Sequence, residues 1–218
     1  MKRRVIITED GSSSIYVEGL NENYHSRYGA INESRHIFIE SGLKQIQKDS
    51  VSILEIGFGT GLNALLTLNE SILTNRTINY YSLENYPLVQ DEWQSLNYSD
   101  IKEIENSDLF ENLHKLDWNS WHLMNETFRF YKEKVDFLEF RTSLKFDLVY
   151  FDAFSPNVQP ELWSEKIFEK MHKCMNPEGL LLSYSVKGTV KRALKSVGFT
   201  TELIPGPKGK RVIMRAHI

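Results

Sequence analysis

Cysteine is all but missing from this chain of 218 residues: Cys174 stands alone, among apolar residues of an expected helix. No internal disulfide is available, so burial must hold the fold together, and a reducing, cytoplasmic compartment is expected. Long apolar runs are missing too. None approaches the roughly 20 residues of a membrane helix, which excludes an integral membrane protein. The basic start Met1-Lys2-Arg3-Arg4 is followed by only Val5-Ile6-Ile7 before Thr8-Glu9-Asp10, too short an apolar core for a secretion signal. Positive charge is not in excess: 26 Lys and Arg stand against 29 Asp and Glu, a net charge of −3 that argues against indiscriminate binding to polyanions. His25 has no second histidine or cysteine nearby at ligand spacing, so a zinc site is excluded there and no metal is expected.

What remains is an ordinary globular composition, 41 % hydrophobic and 25 % charged, on a chain long enough for one α/β domain with an appended hairpin. The organising stretch is Val51-Ser52-Ile53-Leu54-Glu55-Ile56-Gly57-Phe58-Gly59-Thr60-Gly61-Leu62-Asn63: a buried strand, a glycine turn, then a helix. Alternating glycines let the backbone turn tightly and approach a ligand closely, while the helix start offers unpaired N–H groups. The dinucleotide fingerprint places its third glycine one residue later. Here the pattern is E-x-G-x-G-x-G, the form seen in S-adenosylmethionine-dependent methyltransferases, with Glu55 facing the cationic methionine end of the cofactor. A nicotinamide cofactor or plain strand-to-helix packing would also account for the glycines taken alone.

Along the chain, Arg4–Thr8 and Ser14–Val17 read as an N-terminal hairpin around Asp10-Gly11, and residues 35–43 as a helix. Between them lies a loop holding Tyr24, His25, Ser26, Arg27 and Tyr28, rich in groups that bind or react. Residues 1–45 are thus expected to be appended, on the substrate side, to a main domain over 46–218. A strand over 77–84 ends in Glu84, placed to receive both ribose hydroxyls of a nucleoside cofactor. Pro87 suits the first turn of a helix running to Leu96. Residues 97–127 read as a mostly helical connection, 127–131 as a strand, and 133–138 as the opening of a helix. Adenine is expected near that last turn, with Asp136 or Glu133 accepting its amino hydrogens; either acid would equally suit a helix start.

A strand over 146–152 runs into Asp152-Ala153-Phe154-Ser155-Pro156, at the edge where a doubly wound sheet presents reacting groups. An Asp, an aromatic and a proline in a stiff turn resemble the motif of methyltransferases acting on exocyclic amines. Asp152 is the expected catalytic residue and also touches the cofactor, with Phe154 and Pro156 against the substrate ring. A helix over 160–175, a strand over 180–185, a helix over 189–197 and strands over 199–204 and 211–217 complete the chain. The last two strands have no helix between them and must pair antiparallel. The expected fold is therefore a Rossmann-like α/β, class I S-adenosylmethionine-dependent methyltransferase: seven strands, the last antiparallel, plus the N-terminal hairpin. Charge is uneven, with eight Lys or Arg and one acid from Lys187 to Ile218. A basic end on an acidic body fits contact with a polyanion on one face, through Lys187, Lys210 and Arg211 among others.

Taken together these residues resemble the methyltransferase domain of the MnmC family, known alone as MnmD, over nearly the whole chain. The resemblance is carried by Tyr24-His25-Ser26 with Gly29-Ala30 and Glu33-Ser34, by Glu55 to Asn63, and by Glu84 with Pro87. Asp152 to Pro156 with Pro160-Glu161-Leu162-Trp163, Tyr184-Ser185 before Val190-Lys191-Arg192, and Gly209-Lys210-Arg211 with Met214 complete it. It implies methyl transfer from S-adenosyl-L-methionine to the amine of 5-aminomethyl(-2-thio)uridine at the tRNA wobble position, with the anticodon arm as partner. In two-domain relatives an FAD-dependent oxidase follows; no such domain and no FAD binding are expected here. Two departures stand out. Where relatives often carry Gly-Asp after the third strand this chain has Glu133-Lys134, and some two-domain relatives lack the Tyr24-His25-Ser26 triplet. A methyltransferase of a small-molecule or protein amine, or a nonenzymatic nucleotide sensor, are the competing readings.

Overall fold

Strands buried on both faces read as continuous apolar runs, and Phe146 to Phe151, buried at every position, is such a strand. The computed structural model describes residues 2–104 and 106–218; Met1 of the basic start and Glu105 of the 97–127 connection lie outside the described residues. The chain opens with β1 (Arg3–Ile7), β2 (Ser13–Val17) and β3 (Glu22–Asn23), a small antiparallel sheet that extends the expected hairpin by one short strand. Helix α1 (Ala30–Ser34) continues as π-helix from Arg35 to Glu40. Then come β4 (Ser50–Ile56), α2 (Leu62–Thr74), β5 (Thr77–Glu84), α3 (Gln90–Gln94), α4 (Asp108–Lys115), β6 (Trp121–Asn125) and β7 (Phe128–Lys134). The second half holds β8 (Phe146–Phe151), α5 (Glu165–Cys174), β9 (Met175–Ser183), α6 (Gly188–Ser196), β10 (Thr200–Pro205) and β11 (Val212–His217).

The main sheet has the order β10-β11-β9-β8-β4-β5-β7-β6. Strands β7, β5, β4, β8 and β9 are parallel, and β11 enters antiparallel between β9 and β10. The fold is the expected α/β class with an antiparallel last strand, on eight strands rather than seven. Alternate side chains separate the two faces. Ile53, Tyr80, Leu148 and Tyr150 pack with α2, α4 and the 30–46 region, whereas Leu54, Leu83, Val149 and Phe151 pack with α5 and α6. Ile15, Val17 and Phe38 belong to the first of these clusters, so the N-terminal region shares its core with the main sheet.

Four expectations fail locally. The eighth strand is β6, inside the supposedly helical connection: Trp121 to Asn125 pair antiparallel with β7, and the Trp121 and Tyr131 rings meet at a tilt with centroids 5.2 Å apart. Helical spacing holds only through α4, and pairing across a tight turn decides the rest. Residues 133–138 do not open a helix, because β7 follows β5 to the end (Glu84 beside Lys134) and Val135 N then donates to Glu84 O at 3.0 Å. Pro87 lies three residues ahead of α3 rather than in its first turn. Finally, β9 begins at Met175: the expected turn at Asn176–Gly179 is absorbed into the strand as an irregularity, with Glu178 at φ 64.

Candidate active site

The order of the sheet reverses between β4 and β8, and such a switch point opens a crevice at the carboxyl ends of the two strands. There the chain leaves β4 through Gly57, Gly59 and Gly61 at φ 93, 53 and 77, a region that side chains rarely adopt. Space is closed as well: a Cβ on Gly57 would lie 3.1 Å from Asp152 O, and one on Gly59 2.9 Å from the Tyr24 ring. The turn is therefore gripped between the end of β8 and the N-terminal loop. Gly57 N and Phe58 N both donate to Leu83 O, at 3.0 and 2.9 Å, and Gly59 N donates to Glu84 Oε2 at 2.9 Å. From behind, burial holds the His114 pKa down to about 3, so its neutral ring contacts Thr60 O at 3.0 Å while stacking on Trp93. Lys132, also pulled down by burial, to about 8, fixes that helix end by donating to Leu113 O and His114 O at 2.8 Å each.

A cavity of about 540 Å3 occupies the crevice. Of the residues expected to hold the cofactor, Gly57, Phe58, Gly59, Thr60, Asn63, Glu84, Asp136 and Asp152 line it. Two do not. Gly61 faces Phe58 and His114, and Glu55 is fully buried beneath the cavity, where Ser82 Oγ donates to its Oε2 at 2.5 Å. Burial pushes the Glu55 carboxyl up to about 8, so at neutral pH it is largely uncharged, which argues against direct pairing with a cationic methionine end. Glu133 is drawn away to accept from Tyr81 OH at 2.5 Å and does not line the cavity, so of the two acids expected near adenine only Asp136 reaches it.

The residues present fit S-adenosyl-L-methionine. The glycine turn presents its backbone to the cavity with no Cβ to fill it, and Thr60 and Asn63 line the same wall. Glu84 spends one lone pair per oxygen on backbone, Tyr86 N at 2.7 Å and Gly59 N at 2.9 Å, and retains the others for a ribose. Arg3, on β1, was not anticipated: its guanidinium donates to Tyr86 O at 2.7 Å and pairs with Glu92 at 2.9 Å, tying the N-terminal sheet to the loop after Glu84.

At the other end Asp152 faces the cavity just past β8. Asn63 Nδ2 donates to its Oδ2 at 2.9 Å, yet burial raises its pKa to about 7, helped by the nearby Glu33 charge and opposed by Lys210. Tyr24, His25, Ser26, Phe154 and Lys210 line this end as expected, and the Tyr24 and Phe154 rings meet edge to face at 5.1 Å. His25 is held neutral by burial, at about 4, beside Ser14 Oγ, which suits a wall residue rather than a proton carrier at neutral pH. Tyr28, Pro156, Lys187 and Arg211 do not line the cavity; Tyr28 packs instead on Gly209. Glu22, Glu33 and Tyr184 do line it and were not singled out as site residues, although Glu33 and Tyr184 lay inside motifs that carry the resemblance. Nothing in the local pattern marked Glu22, which reaches Ser155 Oγ at 2.9 Å only through tertiary packing.

The basic end is less free than its composition implies. Lys208 pairs with Glu9, Lys210 with Glu33 and Arg215 with Glu202, and Lys187 contacts Asn157. Among the described residues no group of three or more His, Cys, Asp or Glu is placed to hold a metal ion, and no helix is long and apolar enough to cross a membrane.

Comparison with known proteins agrees with this geometry. A family described as S-adenosyl-L-methionine-dependent methyltransferase matches residues 122–218. The tRNA 5-methylaminomethyl-2-thiouridine biosynthesis bifunctional protein MnmC of Aromatoleum aromaticum is 29 % identical over 98 % of this chain and 35 % of its own length. The protein of that name from Marinomonas sp. is 25 % identical over 93 % of this chain and 32 % of its own. The chain thus spans about a third of the length of these curated relatives. Among solved structures, MnmC2 from Aquifex aeolicus superposes with a TM-score of 0.81 at 24 % identity, covering 99 % of this chain and 69 % of that one. Spermidine synthase from Thermotoga maritima shares the fold at a TM-score of 0.58 and 12 % identity, over 98 % of this chain and 72 % of that one. The chain is an S-adenosyl-L-methionine-dependent methyltransferase related to the MnmC proteins.

Proposed function

We propose that the protein methylates the 5-aminomethyl group of (2-thio)uridine at the wobble position of tRNA, giving 5-methylaminomethyluridine, and does so in the cytoplasm. One observation carries the reading: Asp152, with its carboxyl poised at about 7, stands where the cofactor end of the cavity meets an end walled by Tyr24, Phe154 and Tyr184. Glu22 and Asp152 give that end its acidic character, Glu33 being paired with Lys210, and this suits an arriving ammonium. The names of the curated relatives, which place them in tRNA 5-methylaminomethyl-2-thiouridine biosynthesis, support a wobble-uridine amine as the substrate. S-adenosyl-L-methionine, when bound, supplies an electrophilic methyl on a sulfonium. An amine must meet it in line and with a free lone pair, so orientation contributes much of the rate. An ammonium beside Asp152 favours its carboxylate, which holds the nitrogen by hydrogen bond and accepts one ammonium proton, freeing the lone pair; as the N–C bond forms and the S–C bond breaks, the product nitrogen becomes a secondary ammonium. Tyr24 and Phe154 exclude water and offer a face for the ring of a base taken out of its stack.

The acidic pocket alone would equally serve a small-molecule or protein amine. Labelled cofactor incubated with bulk tRNA from cells lacking the modification, followed by nucleoside analysis, separates these readings. Label in wobble 5-methylaminomethyluridine is the expected result; an active enzyme that leaves such tRNA unlabelled would rule the proposal out.

A further inference from the structure

Beside the catalytic cavity lies a second one, of about 480 Å3, on the face of the small N-terminal sheet. The two share Asn23 and Arg27 at a common rim. Arg4 and Tyr16 line the outer part, the guanidinium lying 4.7 Å from the ring centroid, and Ile7 is 66 % exposed next to them. Arg27 is exposed, and neither it nor Arg4 pairs with an acid among the described residues. The one acid here, Glu9, is neutralised by Lys208 at 2.8 Å, and Asn23 Oδ1 is buried without a partner. The cleft therefore combines two free cations, an aromatic face, an apolar rim and an unmet acceptor.

Those features are what a single nucleotide requires: cations for phosphate, a flat ring with an arginine for the base, and an acceptor for a hydroxyl or amino group. The neighbouring cavity is the opposite. Glu22 and Asp152 disfavour phosphate there, Glu33 being paired with Lys210, so a polynucleotide that places an amine there must run its backbone outside, past Arg27 at the shared rim and Arg4 beyond it. We infer that the N-terminal cleft is a subsite for the RNA nucleotide adjoining the one that is methylated, Arg27 holding the connecting phosphate and Tyr16 with Arg4 stacking the base. This assigns RNA contact chiefly to the N-terminal sheet, and it rests on the tRNA reading above.

The test measures binding of an anticodon stem-loop bearing 5-aminomethyluridine across a salt series, with S-adenosylhomocysteine affinity as the check that each variant is folded. Arg27→Ala should weaken RNA binding about tenfold and lower the salt slope by about 0.7 to 0.9, whereas Arg4→Ala, which removes a stacking partner, should weaken it at a nearly unchanged slope. Tyr16→Ala should weaken binding at an unchanged slope, because stacking releases no counterion. Lys191→Ala with Lys195→Ala, on α6, should change little. Wild-type affinity and slope in both arginine variants, or a loss confined to the α6 variant, would overturn the subsite while leaving the tRNA reading intact. Failure of the wild-type protein to bind the stem-loop at all would remove the tRNA reading and this inference together.

Discussion

The two ends of the cavity are built by different means. The cofactor end comes largely from one continuous stretch, β4 through the glycine turn into α2, with Glu84 from the next strand fixed to its backbone at 2.9 Å. The substrate end is assembled from Glu22, Tyr24, Glu33, Asp152, Phe154, Tyr184 and Lys210, contributed from one end of the chain to the other. The first uses positive-φ backbone geometry that its glycines permit. The second uses side-chain charge in an enclosed place, where burial raises the Asp152 pKa and the nearby Glu33 and Lys210 charges act on it in opposite senses. A fold can thus keep its cofactor while its substrate end changes residue by residue.

That division is tested most severely by Asp152→Asn. The substitution keeps shape but removes the proton acceptor, and should lower kcat about 10²- to 10⁴-fold while S-adenosylhomocysteine affinity stays within about threefold. Single-turnover rates beside calorimetric titration give both numbers, and near-normal turnover would remove Asp152 from the chemistry. The same residue sets a pH signature. With its pKa raised to about 7, the accepting carboxylate is lost as pH falls through that value, so the wild-type rate should rise across pH 6 to 8 and the residual rate of the Asn variant should not.

Glu84→Ala tests the other end. Losing the ribose acceptor and stranding Gly59 N should weaken cofactor binding about 100-fold, with kcat at saturation nearly unchanged. A fall in kcat at saturating cofactor instead would mean that the two ends are not separable. The smallest effect is expected at Glu55→Gln. Since the Glu55 pKa is raised from 4.5 to about 8 by burial, its contribution to stability is full below about 4.5 and is lost as pH rises through 8. The variant should therefore gain stability relative to wild type between those values while binding cofactor normally; denaturant midpoints at pH 5 and pH 8 measure it. Weakened cofactor binding in Glu55→Gln would place this residue at the cofactor after all.

How legible the site was followed the same line. The glycine turn, Glu84 and Asp152 could be read because each lies at a strand end in a periodic pattern, and strand ends are where this fold exposes groups. The burial of Glu55 was not legible, because its motif position says nothing about which face of β4 it occupies, and in the structure that face is the interior beneath the cavity. Strand β6 was missed because Trp118 and Trp121 continue the loose helical spacing of α4, and only its partner β7 makes Trp121–Asn125 extended. The C-terminal lysines looked free because composition counts charge without showing what faces it.

By itself the sequence determined the α/β alternation, the parallel core with its antiparallel end, the glycine turn and the carboxylate at the end of β8, all consequences of local periodicity and backbone sterics. Only the tertiary structure decided which charges are free. Ion pairs such as Lys210–Glu33 and Lys208–Glu9 join residues some 200 positions apart or nearly so, and no local pattern encodes a Coulomb interaction across that separation. Among the described residues it leaves Arg4 and Arg27 without an acidic partner beside an acidic pocket, the arrangement on which the inferred RNA subsite rests.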